Sequence, residues 1–221
     1  GIKAGDPEAL ATVGYLQTAT AAEKLLGAEN VDFTNTHFYG GVPAFRRTLK
    51  MIDRRFEGKS LSLGEFGARE AHDARTNGTL GDPAEESVPY FLAVGHYALG
   101  MGASFMANWD WKEMPDAVFP WGVNHQDLVS KPVLEAYRNM SLLFRLMPPK
   151  YVEPEVYLLV PDSHRFGAQT DALHNAVMQA IDWLFDCHVA FGVINEQALD
   201  RLPKSAKALV WPLPYCPTDD T

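Results

Sequence analysis

Short apolar runs alternate with stretches of helical periodicity along the first 148 residues. Runs at Leu10-Ala11-Thr12-Val13-Gly14, Asp32 to Tyr39, Leu61 to Gly67 and Ala103 to Trp109 have the length and composition of buried strands. After the second run, Phe45, Leu49, Ile52 and Phe56 recur at i, i+4, i+7 and i+11. That spacing predicts one apolar stripe on a helix opened by Pro43 and closed by Gly58. Arg46, Arg47, Lys50, Asp53 and Arg54 fill the opposite face, which reads as solvated surface. Thr20-Ala21-Ala22-Glu23 has the spacing of a capping box opening a brief helix. Tyr90 to Leu99 reads as a further helix. So does Ser130 to Leu146, with Ser130 as its cap and Val133, Leu134, Tyr137, Ser141 and Phe144 facing inward. Strand–helix alternation predicts an α/β fold with a parallel sheet and helices outside it, and four such units make half of an eightfold (β/α) barrel.

Met147-Pro148-Pro149-Lys150 interrupts this pattern, because consecutive prolines stop a helix. A second pattern follows: an apolar strand at Val156 to Val160, then a helix from Asp171 to Phe185 with Leu173, Val177, Ala180, Ile181 and Leu184 on one face. Further strands are expected at Val189 to Val193 and Ala208 to Trp211. This is the beginning of a doubly wound sheet, although Pro161-Asp162-Ser163-His164 stands where a glycine-rich phosphate loop would follow the first strand. The expected division is therefore residues 1–148 and 154–221.

Composition narrows the partners. At 221 residues, with 47% hydrophobic and 21% charged positions, the chain can bury a core. A formal net charge of −9 argues against general binding to nucleic acid or anionic membranes. Ser87 to Trp109 carries no Asp, Glu, Lys or Arg, but Gly100-Met101-Gly102 divides it into a helix and a strand, each too short to span a bilayer. Cys187 and Cys216 lack metal-site spacing and are expected as reduced, partly buried thiols. Nothing distinguishes a cytoplasmic from a secreted setting. Gly1-Ile2-Lys3 is not a natural start, so the chain is expected to be a piece of a longer protein.

The candidate chemistry lies where strands end. His37 and Tyr39, Glu65 between Gly64 and Gly67, and Trp109 with Trp111 all fall at C-terminal ends of strands, the reactive face of a (β/α) barrel. The long connections Ala68 to Glu86 and Asp110 to Ser130 hold His72, Asp73, Glu113 and His125, which could line outer parts of a site. Trp121 and Trp183 are expected in the core.

The motifs and their order resemble the retaining glycoside hydrolases of the (β/α)8 TIM-barrel clan, such as families 5 and 42. Asp6-Pro7 with Leu10–Gly14 resembles the fifth strand, Asp32–Tyr39 the sixth, Gly64-Glu65-Phe66-Gly67 the seventh, and Asn108-Trp109-Asp110-Trp111 the eighth. The resemblance implies the C-terminal half of a TIM barrel followed by an incomplete, doubly wound flavodoxin-like domain. It also implies Glu65 as catalytic nucleophile on a carbohydrate substrate, a β-galactoside or related β-glycoside. His37, Tyr39 and Asn35 would contact nucleophile or sugar, Trp109 and Trp111 would form a sugar floor, and no cofactor or metal would be needed. The full-length protein would be a homo-oligomer in the manner of family 42. One element is missing: the family's general acid/base glutamate, after an Asn at the end of the fourth strand, has no match in residues 1–221. Two other readings compete, a metal-dependent barrel hydrolase using His37, His72, Asp73 and His125, and a non-catalytic carbohydrate-binding or assembly module.

Overall fold

The computed structural model describes residues 1–14, 30–69, 84–114, 121–148, 150–162 and 170–214. The expected capping box at Thr20–Glu23, together with His72, Asp73, Ser163, His164 and Cys216, lies outside them. By internal contacts the chain forms two compact units. The first joins Gly1–Asn35, Arg47–Leu61 and Tyr151–Thr221, and the second joins Thr36–Arg46 and Ser62–Lys150.

The second unit contains three parallel strands, β1 (Thr36–Phe38), β2 (Ser62–Phe66) and β3 (Phe105–Asn108), in the order β1-β2-β3. Each apolar run shrinks by a residue or more at its ends, as strand boundaries read from sequence usually do. Helix α1 (Val42–Met51) follows β1 and α2 (Ala84–Gly100) follows β2, while α3 (Pro132–Leu146) comes after β3. The apolar stripe of α1 is buried at Phe45 and Leu49 as predicted, but the helix ends at Met51. Helix α2 starts six residues before the expected Tyr90 and carries Pro89 within it. Its Phe91 meets Phe66 of β2 at 5.2 Å and Tyr137 of α3 at 6.3 Å, so three rings fasten sheet to helices.

The inner face of α3 is Val133, Ala136 and Met140, whereas Ser141 is exposed and donates to the Tyr137 carbonyl. Ser130 is not its cap. The Ser130 hydroxyl donates instead to Asn124 Oδ1 at 3.1 Å, and the buried Lys131 takes the position before the first turn.

In the first unit, β4 (Val156–Leu159), β5 (Phe191–Ile194) and β6 (Ala208–Val210) are parallel in the order β5-β4-β6, and helix α4 (Thr170–Asp186) follows β4. The predicted face of α4 buries Leu173, Val177, Ile181 and Leu184. Trp183 is exposed rather than in the core, because two helical positions from Ile181 turn it to the opposite side. Cys187, expected to be partly buried, is exposed one turn further on.

Two expectations fail here. Leu10–Gly14 is not a strand, and both Leu10 and Val13 are exposed. The segment is held by side chains as well as backbone: Ala11 N–H donates to the Asp32 carboxylate at 2.6 Å, Asp32 N–H to the Ala11 carbonyl at 2.8 Å, and the Thr12 hydroxyl to the Phe33 carbonyl at 2.7 Å. The adjacent Lys3 ammonium holds the Asp32 carboxyl below its ordinary range.

The polar face of residues 46–54 is also not solvated. Lys50, Asp53 and Arg54 are buried, and Arg47 pairs with Asp182 of α4. Lys50 Nζ donates to the Phe191 carbonyl of β5, and burial pushes its ammonium down to about 8. Arg54 forms two parallel bonds to Asp162, at 2.9 and 3.0 Å. The helix stops at Met51, so Asp53 and Arg54 belong to a turn, which closes at Gly58 in the left-handed region with φ 78°.

Glu57 lies beside this cluster. Burial, more than neighbouring Asp162, raises its carboxyl above the ordinary value, and the attraction of Arg54 only partly opposes this. A raised folded-state pKa means the folded chain binds the proton more tightly than the unfolded one. The penalty is thus absent below the unfolded value and grows as pH rises through the raised one. Glu57→Gln is expected to raise the melting temperature at pH 7. The gain should disappear on titration toward pH 4 (~4.3 is the ordinary Glu value). Equal gains at both pH values would contradict a burial penalty on this carboxylate.

Candidate active site

The parallel register of β1 and β2 sets His37 opposite Glu65 and Phe38 opposite Phe66, and Phe66 in turn pairs with Asn108 of β3. Residues just beyond these pairs therefore emerge together at the C-terminal edge of the sheet. Trp109 N–H donates to the Phe66 carbonyl at 2.8 Å, which fixes the end of β3 against that of β2. Gly67 is required at this point. A Cβ there would sit 2.4 Å from the Trp109 carbonyl oxygen, closer than any non-bonded contact allows.

Glu65 is half-buried, and its Oε2 accepts the Tyr39 hydroxyl at 2.5 Å. His37 Nδ1 also lies 3.1 Å from Oε2, but off the axis of a hydrogen bond, and this buried nitrogen has no hydrogen-bond partner. Burial first, and then the bond to Glu65, push the Tyr39 phenol far above its ordinary value. It remains a proton donor throughout the physiological range. The arrangement is a carboxylate oriented by a neutral hydroxyl, with an imidazole alongside.

Trp109 is 37% exposed and Trp111 62%, so both indoles are available to a ligand. The Trp109–Asp110 peptide bond is cis. Asn108 Nδ2 donates to the Asp110 carbonyl at 2.8 Å, and Asn124 fastens the Trp111 carbonyl through both its backbone N–H and its side-chain amide. Asn35 is described with the first unit, where its Oδ1 is buried and unpaired.

Trp121 is more than a core residue. Its ring meets Tyr39 edge-on at 4.8 Å, and the Arg69 guanidinium stands 5.7 Å from its centroid. Trp121 lies in a long polar connection rather than in a periodic stripe, and that placement was the available sequence signal. Tyr39, Trp121, Arg69, Ser87 and Tyr90 line a cavity of about 460 Å³. The Tyr90 hydroxyl is buried without a hydrogen-bond partner among the described residues.

Glu113 and His125, candidates for outer contacts, are tied to structure. Glu113 Oε1 pairs with the buried Lys131 ammonium at 2.6 Å, and Oε2 lies 3.6 Å from His125 Nδ1. Among the described residues no group of three or more His, Cys, Asp or Glu side chains could hold a metal ion. Also among them, no helix is long and apolar enough to cross a membrane.

No protein-family model matches the chain, and no curated protein matches its sequence. Solved structures match its fold. A GH5_18 protein from Streptomyces cattleya, in complex with GlcNAc, aligns over 95% of this chain and 57% of its own, with 17% identity and a TM-score of 0.66. A β-galactosidase from the Antarctic haloarchaeon Halorubrum lacusprofundi aligns over 96% of this chain and 34% of its own, with 13% identity and a TM-score of 0.67. An exo-β-1,4-mannosidase from Opitutaceae bacterium strain TAV5 aligns over 84% and 41%, with 18% identity and a TM-score of 0.58. The chain thus spans about half the length of the first of these, or less of the others. Its mixed α/β fold, with parallel sheets, is that found in glycoside hydrolases of the TIM-barrel clan.

Proposed function

We propose that this chain is the nucleophile-bearing part of a retaining β-glycosidase. The observation that carries the reading is the Glu65 carboxylate at the C-terminal end of β2, with Oε2 held by the Tyr39 hydroxyl at 2.5 Å. A displacement at an anomeric carbon needs a carboxylate in a fixed orientation, and the hydroxyl donor fixes that orientation. Glu65 attacks the anomeric carbon, the leaving-group oxygen takes a proton, and water then hydrolyses the glycosyl–enzyme ester. The acid that gives the proton, and later activates the water, must stand about 5–5.5 Å from Glu65. We assign it to a part of the parent protein outside this sequence.

Trp109 and Trp111 offer aromatic faces to the apolar side of a pyranose, and His37 offers a polar contact. The carbohydrate ligand of the Streptomyces cattleya structure supports a sugar as substrate class. The same fold likeness supports reading residues 1–148 as the C-terminal part of a barrel, with β1, β2 and β3 as its sixth, seventh and eighth strands. With β4 between β5 and β6, residues 154–221 read as the start of a flavodoxin-like domain.

The test is covalent trapping in the intact protein. A 2-deoxy-2-fluoro glycosyl fluoride of the mannosyl or galactosyl series slows ester hydrolysis and leaves a stable adduct. Peptide mapping is expected to find it on Glu65. An adduct on another carboxylate, or turnover without any adduct, would refute the assignment.

A further inference from the structure

The cavity lined by Tyr39, Arg69, Tyr90 and Trp121 presents strong proton donors. Arg69 carries only donors, and the Tyr90 hydroxyl, held neutral by burial, has a proton and no acceptor for it. Among the described residues, no carboxylate lines the space. Arg69 is exposed, its charge stands over the Trp121 ring, and no ion pair to it is found among the described residues. Tyr39, Tyr90 and Trp121 make the remaining lining largely aromatic. Its volume, about 460 Å³, falls within the range of small-molecule sites. The charged group and the unpaired hydroxyl among its described lining residues both offer protons, which suits a ligand that brings negative charge.

We propose that this cavity receives the carboxylate of an acidic sugar, a hexuronate unit of the substrate, paired with Arg69 and hydrogen-bonded by Tyr90, against the aromatic wall of Trp121. The proposal rests on the reading of the site as sugar-processing, and it names the sugar class. Guanidinium and carboxylate match in a two-bond fork that an uncharged hydroxymethyl group cannot reproduce. A planar aromatic wall covers the apolar face of the same ring.

The test needs no knowledge of the natural substrate. Glucuronate, galacturonate and mannuronate, each as its methyl glycoside, are titrated calorimetrically into the intact protein beside the corresponding uncharged methyl esters. At least one uronate is expected to bind about 10- to 100-fold more tightly than its ester, the scale of a charge-assisted hydrogen bond. Arg69→Met is expected to remove that preference and leave ester binding unchanged, and Tyr90→Phe to reduce it about 3- to 10-fold. Equal binding of acid and ester overturns the proposal, as does binding of neither. A preference that survives Arg69→Met overturns it too. The acid–ester comparison is made on the unaltered protein, so a misfolded variant cannot obscure it. Trapping at Glu65 without a uronate preference defeats this proposal alone. A uronate preference that depends on Arg69, without trapping, defeats only the nucleophile assignment.

Discussion

Glu65→Gln in the intact protein is expected to lower kcat on an activated aryl glycoside by about 10⁴-fold or more, the scale seen when a covalent nucleophile is removed. The substitution replaces a carboxylate by an amide of the same shape, so the Tyr39 hydroxyl keeps an acceptor and the strand pairing of β1, β2 and β3 is undisturbed. Near-UV circular dichroism and melting temperature should therefore stay close to the unaltered protein, which separates lost chemistry from lost fold. Tyr39→Phe provides the graded comparison. It keeps the ring against Trp121 and removes only the hydroxyl, leaving Oε2 with the off-axis His37 nitrogen. A loss of about 10- to 100-fold in kcat is expected, larger than any change in KM, because what is lost is orientation of the reacting group. Retention of more than a few per cent of kcat by Glu65→Gln would remove Glu65 from the reaction altogether.

The second large effect is on stability. Arg54 and Asp162 each expose only 3% of their side chains and form a two-bond pair. Asp162 Oδ2 also accepts from Asn195 Nδ2 at 2.7 Å, and the Asp162 N–H donates to Glu196. Arg54→Met leaves that carboxylate buried without its counter-charge, which is expected to destabilise the fold by about 3–5 kcal/mol. For a chain of this size the melting temperature should drop by roughly 6–20 °C. Adding Asp162→Leu removes the stranded charge as well, and much of the loss should return. A double variant no better than Arg54→Met would mean that the pair's geometry, rather than the burial of charge, sets its value.

The contrast between these two predictions shows what the sequence exposes. The position of Glu65 was legible because a buried strand of apolar residues ends at a carboxylate, and residue order alone places that end at the C-terminal edge of a parallel sheet. Tyr39 and Trp109 follow from the same rule, and the parallel register sets the ends of β1, β2 and β3 side by side. Arg54 was not legible, since its partner lies 108 positions away and a charge pattern shows polarity without showing pairing. The apolar run Leu10–Gly14 misled for a related reason: strand composition does not supply a neighbouring ladder, and here a side-chain carboxylate holds the segment. Trp121 and Ser130 were assigned bland roles from local chemistry, and nonlocal contacts to Tyr39 and Asn124 gave them others.

Tyr39 has a consequence for how this protein can change over generations. Its hydroxyl holds the Glu65 carboxylate, while its ring is part of the cavity wall and rests on Trp121. Under the proposed function, a substitution that reshapes the cavity for a new sugar tilts the same ring that orients the nucleophile, so new specificity and full speed are not expected to be acquired independently. Variants selected for one are expected to lose the other until a second change restores the angle of that ring.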